Sequence, residues 1–170
     1  MGADAGDVSL VAATAAMIDV ELEGADRLGT LLGAAVPPDW PPEYHTEEVL
    51  RVTRDALAQP GGGGWWLHYV ALAGDRATTL VGVCGYKGPP ADGVVEIGYS
   101  VVPSFQRRGI ATRACASLID AAWGRGARVV TAQTLPQLEP SIGVLRKLGF
   151  QPAQPREEGV LAFELHQDPG

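Results

Sequence analysis

The stretch that most restricts the fold runs from Val94 to Thr134. An apolar segment, Val94–Val102, meets Pro103 and a polar turn that ends Gln106-Arg107-Arg108-Gly109. Then Ala111, Ala114, Cys115, Leu118, Ile119 and Ala122 recur at i, i+3, i+4, i+7, i+8 and i+11, which predicts a helix with one apolar stripe. Gly124 ends it, and Val129–Thr134 predicts a short buried strand. Strand, helix, strand implies a right-handed crossover and parallel pairing of the two strands. A parallel pair needs cover on both faces, so the rest of the chain has to supply it.

Residues Val8–Ala13 predict a first strand. Thr14 suits the N-cap of a helix stopped at Gly24, and Asp26 that of a second short helix carrying Leu28, Leu31 and Leu32. The segment "VPPDWPPEY", residues 36–44, holds four prolines and predicts a stiff loop bearing Trp40 and Tyr44. That loop suits either a roof over a pocket or plain packing. Thr46 caps a third helix through Ala58, with Val49, Leu50, Val52, Ala56 and Leu57 as its apolar face. Pro60 and Gly61–Gly64 break the chain without the Lys-Ser/Thr of a phosphate loop. The period then changes to two: 65–73, 78–86 and 94–102 predict an antiparallel meander, hairpinned at Gly74–Ala77. Trp65 and Trp66 read as core and edge residues at the start of the first of these strands, and Trp123 as helix-end packing. Glycines 82, 85 and 88 lack the dinucleotide spacing and predict close backbone approach. Pro140 or Ser141 opens a last helix stopped by Gly149, and 150–154 with 160–166 closes the chain as a hairpin. The expected fold class is α/β, a mixed central sheet flanked by helices, in one domain spanning residues 1–170.

Apolar runs fall short of the roughly 20 residues that span a bilayer. Asp4 and Asp7, with no basic flank, do not suit a signal peptide. Two cysteines, Cys84 and Cys115, sit among small apolar residues and predict buried thiols in a reducing cytoplasm. His45, His68 and His166 are scattered, which predicts no metal site. The net charge of −7 argues against a nucleic-acid binder. Residues 103–150 nevertheless hold seven basic and two acidic side chains, inside a remainder that carries −12. A local positive field suits a polyanionic small molecule.

The handover at Gly109 gives that field a focus. A helix start presents unpaired N–H groups and the positive end of the helix dipole. Gly109 lets a ligand approach the backbone, Ala111 does nearly the same, and Arg107 and Arg108 add charge. Together they suit a pyrophosphate.

The residues "EIGYSVVPSFQRRGIATRA" and "TAQTLPQLEPSIGVLRKLGF" resemble the GNAT superfamily of acyl-CoA-dependent N-acetyltransferases. The first resembles its central strand and Gln/Arg-x-x-Gly-x-Gly/Ala cofactor loop, the second its later strand and helix. "EIGY" and "SxxVLxKLGF" look most like the branch containing ribosomal-protein N-terminal acetyltransferases. That branch also has members acting on small amines and antibiotics. The resemblance implies acetyl-CoA as donor, with backbone groups of Val101 and Val102 along the pantetheine arm. Gln106, Arg107, Arg108, Gly109, Ile110, Ala111 and Thr112 would hold the pyrophosphate.

An acceptor amine with a pKa of about 10.4 is protonated at neutral pH and must lose a proton before attack. Glu96, alternating away from Val95 and Ile97, is the candidate base; the same position suits a strand carboxylate facing solvent or paired with an arginine. Ser141 is the candidate proton donor or thioester contact; it equally suits a serine capping its own helix. Two positions depart from the family pattern: Leu138 stands where many members have Asn, and Leu145 where many have Tyr as general acid. The expected activity is direct acetyl transfer to a primary amine, small molecule or peptide N-terminus, with a cationic acceptor favoured by the acidic remainder. A non-catalytic acyl-CoA-binding sensor is the rival reading. No nucleic-acid or membrane partner is expected, and a homodimer stays open.

Overall fold

The computed structural model describes residues 6–168; Asp4 lies outside the described residues. Val8–Ala12 forms β1, and Thr14 Oγ1 accepts from Met17 N at 3.2 Å to open α1 (Ala15–Glu23). Gly24 ends α1 and also begins α2 (Ala25–Leu32), its carbonyl accepting from Arg27 and Leu28. Asp26 therefore lies in the first turn, not at the cap as its sequence position suggests. A short β2 (Ala34–Ala35), which has no signal of its own, pairs parallel to residues 78–79. Thr46 caps α3 (Glu47–Leu57) through Val49 N.

The meander then forms from β3 (Leu67–Ala73), β4 (Thr78–Tyr86) and β5 (Val94–Val101), each antiparallel to the next. Trp65 and Trp66 precede β3. Trp65 is buried against Tyr86, with the Arg125 guanidinium 3.9 Å from its ring. The close approach expected of the glycines is real: a Cβ on Gly85 would stand 2.1 Å from Trp66 O, and one on Gly82 2.4 Å from Ser100 O. Next come α4 (Ile110–Gly124), β6 (Val129–Thr134), α5 (Glu139–Lys147), β7 (Gln151–Ala153) and β8 (Leu161–His166). The eight-stranded mixed sheet runs β1-β3-β4-β5-β6-β8-β7, with β2 beside β4. No helix among the described residues is long and apolar enough to cross a membrane.

Two cores sandwich the sheet. The α4 stripe (Ala114, Cys115, Leu118, Ile119, Ala122) buries against Val95, Ile97, Val130 and Phe163, joined by Leu145 of α5. On the other face, Ile18, Leu28 and Leu50 from the first three helices cover Tyr69, Leu80 and Val83. The apolar face expected of α3 is only half correct. Leu50 and Thr53 are buried, whereas Val49 and Val52 are exposed. The buried side of α3 faces α1, where Arg54 donates Nη2 to Asp19 Oδ2 at 3.0 Å.

The second core contains one buried carboxylate. Glu21 accepts from Tyr69 Oη at 2.6 Å, Trp40 Nε1 at 3.0 Å and bonds His45 Nε2 at 2.8 Å. Burial alone would raise its pKa. The His45 hydrogen bond and charge, with the Tyr69 and Trp40 bonds, outweigh that and hold it below its ordinary 4.5. Glu21→Ala leaves these partners unsatisfied, so urea unfolding at pH 7 should show a loss of about 2–4 kcal/mol. A carboxyl lowered in the fold stabilises above its unfolded pKa and loses that benefit as pH falls through the lowered value. The stability gap between wild type and Glu21→Gln should therefore narrow below about pH 4.5.

Candidate functional site

Parallel pairing of β5 with β6 runs only from Val94↔Val129 to Ile97↔Ala132. Beyond it, β5 stays with β4 through Val101↔Gly82, while β6 stays with β8 through Thr134↔Leu161. The two strands part, and a gap opens between Gly98–Val101 and Gln133–Thr134. Backbone direction alternates along β5. Glu96 O accepts from Lys87 N and Val102 N donates to Val81 O, so even-numbered residues bond to β4. Odd-numbered residues point the other way, so Tyr99 and Val101 turn backbone groups into the gap.

A cavity of about 540 Å³ lies along Tyr99–Val101 on this side of the site, with α5 as its far wall, and continues to the start of α4. Its wall includes Val101, Gln106, Arg107, Gly109, Ile110, Ala111 and Thr112 from the sequence-predicted set. Gln106 Nε2 donates to Val101 O at 2.9 Å and ties the turn to the strand end. Arg107 has φ 64° and Gly109 φ 74°, with no positive φ between them. Successive N–H groups in such alternating backbone form an anion-binding concavity. A Cβ on Gly109 would meet nothing within 4 Å, so the space over the helix start is open. Glycine satisfies the left-handed backbone there and leaves the cradle clear.

Two residues expected to hold the coenzyme are not on the wall. Val102 is fully buried and its N–H is engaged by Val81. Arg108 turns outward: its Nη2 lies 3.3 Å from Ser104 O and its guanidinium 4.8 Å from the Phe105 ring centroid. Two residues that sequence reasoning did not assign take these places. Tyr99 is the correct strand partner for Val101 by parity, a signal present in the alternation itself. Lys147, from the last turn of α5, adds a second cation to the wall, besides that of Arg107.

Ser141 lies on the wall, and its Oγ is 2.8 Å from Tyr99 Oη, which also donates to Ser141 O at 3.1 Å. Burial pushes the Tyr99 phenol up to about 12, against a smaller lowering by the Ser141 bond. It stays protonated and able to donate at neutral pH. Leu138 is on the wall, whereas Leu145 is fully buried in the core.

A second cavity of about 520 Å³ lies over β4 and β5, walled by Trp66, Tyr86 and Gly98. The two cavities share Glu43, Tyr44, Tyr99 and Ser100. Glu96 faces the same side of β5 as Gly98, but it lies outside both walls. Its carboxylate is 2.7 Å from Lys87 Nζ, and Lys87 lines the second cavity. Of the two roles open to Glu96, the structure displays an ion pair, with lysine in place of the arginine considered. Tyr44 belongs to both walls, and Trp40 packs in the second core. Among the described residues, no three His, Cys, Asp or Glu side chains gather as a metal site requires.

The acetyltransferase (GNAT) domain family matches residues 25–151. No curated protein sequence matches the chain. Among solved structures, the chain is similar to ribosomal-protein-S5-alanine acetyltransferase from Vibrio fischeri, at 16% identity and TM-score 0.64, covering 95% of this chain and 94% of that one. It is similar to RimL, a ribosomal L7/L12 alpha-N-protein acetyltransferase in complex with coenzyme A, at 20% identity and TM-score 0.63, covering 94% and 93%. A Salmonella typhimurium protein solved with its cofactor acetyl-CoA gives 18% identity and TM-score 0.62, covering 96% and 95%. At these identities the structures speak for the fold, and it is the family match, over three quarters of the chain, that carries membership: the chain belongs to the GNAT acetyltransferase family.

Proposed function

We propose that this chain moves an acetyl group from acetyl-CoA directly to a primary amine, with the thioester in the first cavity and the amine in the second. The observation that carries the reading is the meeting of the two cavities at Tyr99 and Ser100. A bound acetyl-CoA supplies a thioester carbonyl open to attack. The residues present suit its shape and charge. Amide groups of Ile110, Ala111 and Thr112, with Arg107 and Lys147, hold the diphosphate. Backbone groups of Tyr99 and Val101 line the pantetheine arm as an added strand would.

An amine held next to Ser100 must shed a proton. Glu96 is the base, acting through a chain of waters along β5, since it stands four residues, about 13 Å of strand, from Ser100 at the junction. Its pairing with Lys87 fixes where the carboxylate stands. Tyr99, supported by Ser141, donates toward the leaving thiolate, whose ordinary pKa is about 8.5. This gives the phenol a role that Leu145 cannot fill. Acceptors include peptide N-termini, in keeping with the ribosomal-protein acetyltransferases among the similar structures, and cationic small amines. Buried Cys84 and Cys115 suit a cytoplasmic setting. Leu138 on the wall favours one rival, a non-catalytic acyl-CoA sensor, because leucine offers the coenzyme no hydrogen bond.

Coenzyme A titration tests the cradle. Gly109→Val should weaken binding at least about 30-fold and Lys147→Glu about tenfold, while Arg108→Glu changes it less than about threefold. Equal losses in Arg108→Glu and Lys147→Glu would contradict this placement of the charges. Thiol release from acetyl-CoA, read over peptides with free N-termini, polyamines and aminoglycosides, tests the chemistry. Turnover should appear with at least one amine, fall about 100-fold or more in kcat for Glu96→Gln, and fall about tenfold for Tyr99→Phe. Tight coenzyme binding with no thiol release across the panel would favour the sensor.

A further inference from the structure

The proline-rich segment of residues 36–46 crosses the molecule as a strap pinned at both ends. Asp39 accepts from Ser104 N at 2.8 Å and Ser104 Oγ at 3.0 Å, which ties the strap to the turn leading into α4. Trp40 and His45 both bond the buried carboxylate of Glu21. Between those two anchors stand Pro41, Pro42, Glu43 and Tyr44. Tyr44 holds φ 68°, a left-handed backbone that a non-glycine residue keeps only where its surroundings impose it.

This places Glu43 in an unusual position. It is the only carboxylate on either cavity wall among the described residues, and it is on both. Four nearby carboxylates are occupied: Glu21 by its buried partners, Asp39 by Ser104, Glu47 by Arg51 and Glu96 by Lys87. Glu43 makes no ion pair or hydrogen bond among the described residues, and its backbone is held by proline and by two anchors. Beside it, exposed Tyr44 offers a ring face to a cation. Farther along the second cavity the wall turns apolar, with Trp66, Leu67 and the half-exposed Val49. Lys87, the lysine on this wall, is already paired with Glu96, so a second ammonium finds no free carboxylate there.

We infer that Glu43 is the acceptor-recognition residue of this enzyme, and that the acceptor carries one ammonium on an apolar or aromatic stem. Glu43 seats that ammonium at the junction before its proton leaves, and Glu21 acts as a positioning residue through the strap. The inference rests on the acetyltransferase reading, and its test separates the two. Steady-state kinetics use the amine from the panel that wild type turns over fastest, with stem-matched monoamines and diamines compared. A group that binds ground state and transition state alike moves KM and not kcat. Glu43→Gln should raise the amine KM about tenfold with kcat within about threefold, and Glu43→Lys should lower kcat/KM at least about 100-fold. Coenzyme affinity and thermal midpoint should stay at wild-type values in both. Added salt should raise the wild-type KM and leave that of Glu43→Gln flat, a response that a merely structural residue would not produce. An unchanged amine KM in Glu43→Gln, or a salt response equal to wild type, overturns the role of Glu43 while leaving the transferase reading intact. A preference for diamines over stem-matched monoamines overturns the single-ammonium assignment. Absence of turnover in wild type across the panel instead removes the transferase reading itself.

Discussion

The early separation of β5 from β6 is the constraint on which this architecture depends. A parallel pair normally continues for the length of both strands, because each unpaired backbone group left in a protein interior is costly. Here the pairing stops at Ile97 and Ala132, and each strand keeps its other neighbour. The separation leaves one edge of β5 able to pair with something that is not protein. It also gives α4 a place to begin, since the crossover connecting the two strands must start at the open end of β5. The free N–H groups of that helix, the left-handed turn before it and the unpaired strand edge therefore face one space. Tyr99 and Ser141 bridge the opening from opposite sides and act as a prop.

The second cavity is built differently. It is walled on one flank by the strap, whose rigidity comes from proline and from hydrogen bonds to a single buried carboxylate. Glu21 is costly to bury, and its retention makes sense where a segment with few backbone donors needs fixing from below. The Asp39–Ser104 contact joins the strap to the turn before α4, so the two cavities share one mechanical frame.

Much of this was legible in the sequence because it depends on local chemistry. The α4 stripe, the Thr14 and Thr46 caps and the meander follow from periodicity and side-chain hydrogen bonding, and they stand where periodicity puts them. Residues whose role depends on a distant partner were less legible. Val49 and Val52 continue the apolar pattern of α3, yet only an adjacent α1 decides which side is covered. Val102 and Tyr99 differ by parity, and parity matters only once β4 is known to take the even-numbered bonds. Arg107 and Arg108 are chemically alike, yet Arg107 lines the first cavity while Arg108 lies over Phe105. Glu43 carried no motif at all, and its position emerges only when Trp40 and His45 converge on Glu21. The pairing of β1 with β3 and the short β2 likewise had no local signal.

The central claim is that the unpaired edge of β5 and the first turn of α4 receive one coenzyme. Amide hydrogen exchange resolved to single residues, with and without coenzyme A, tests it most directly. The account predicts new protection at Tyr99, Val101 and Ile110–Thr112, and no change at Ser100 and Val102, whose amides face β4. Protection at the even-numbered amides, or none along β5 despite saturation with coenzyme, would contradict it.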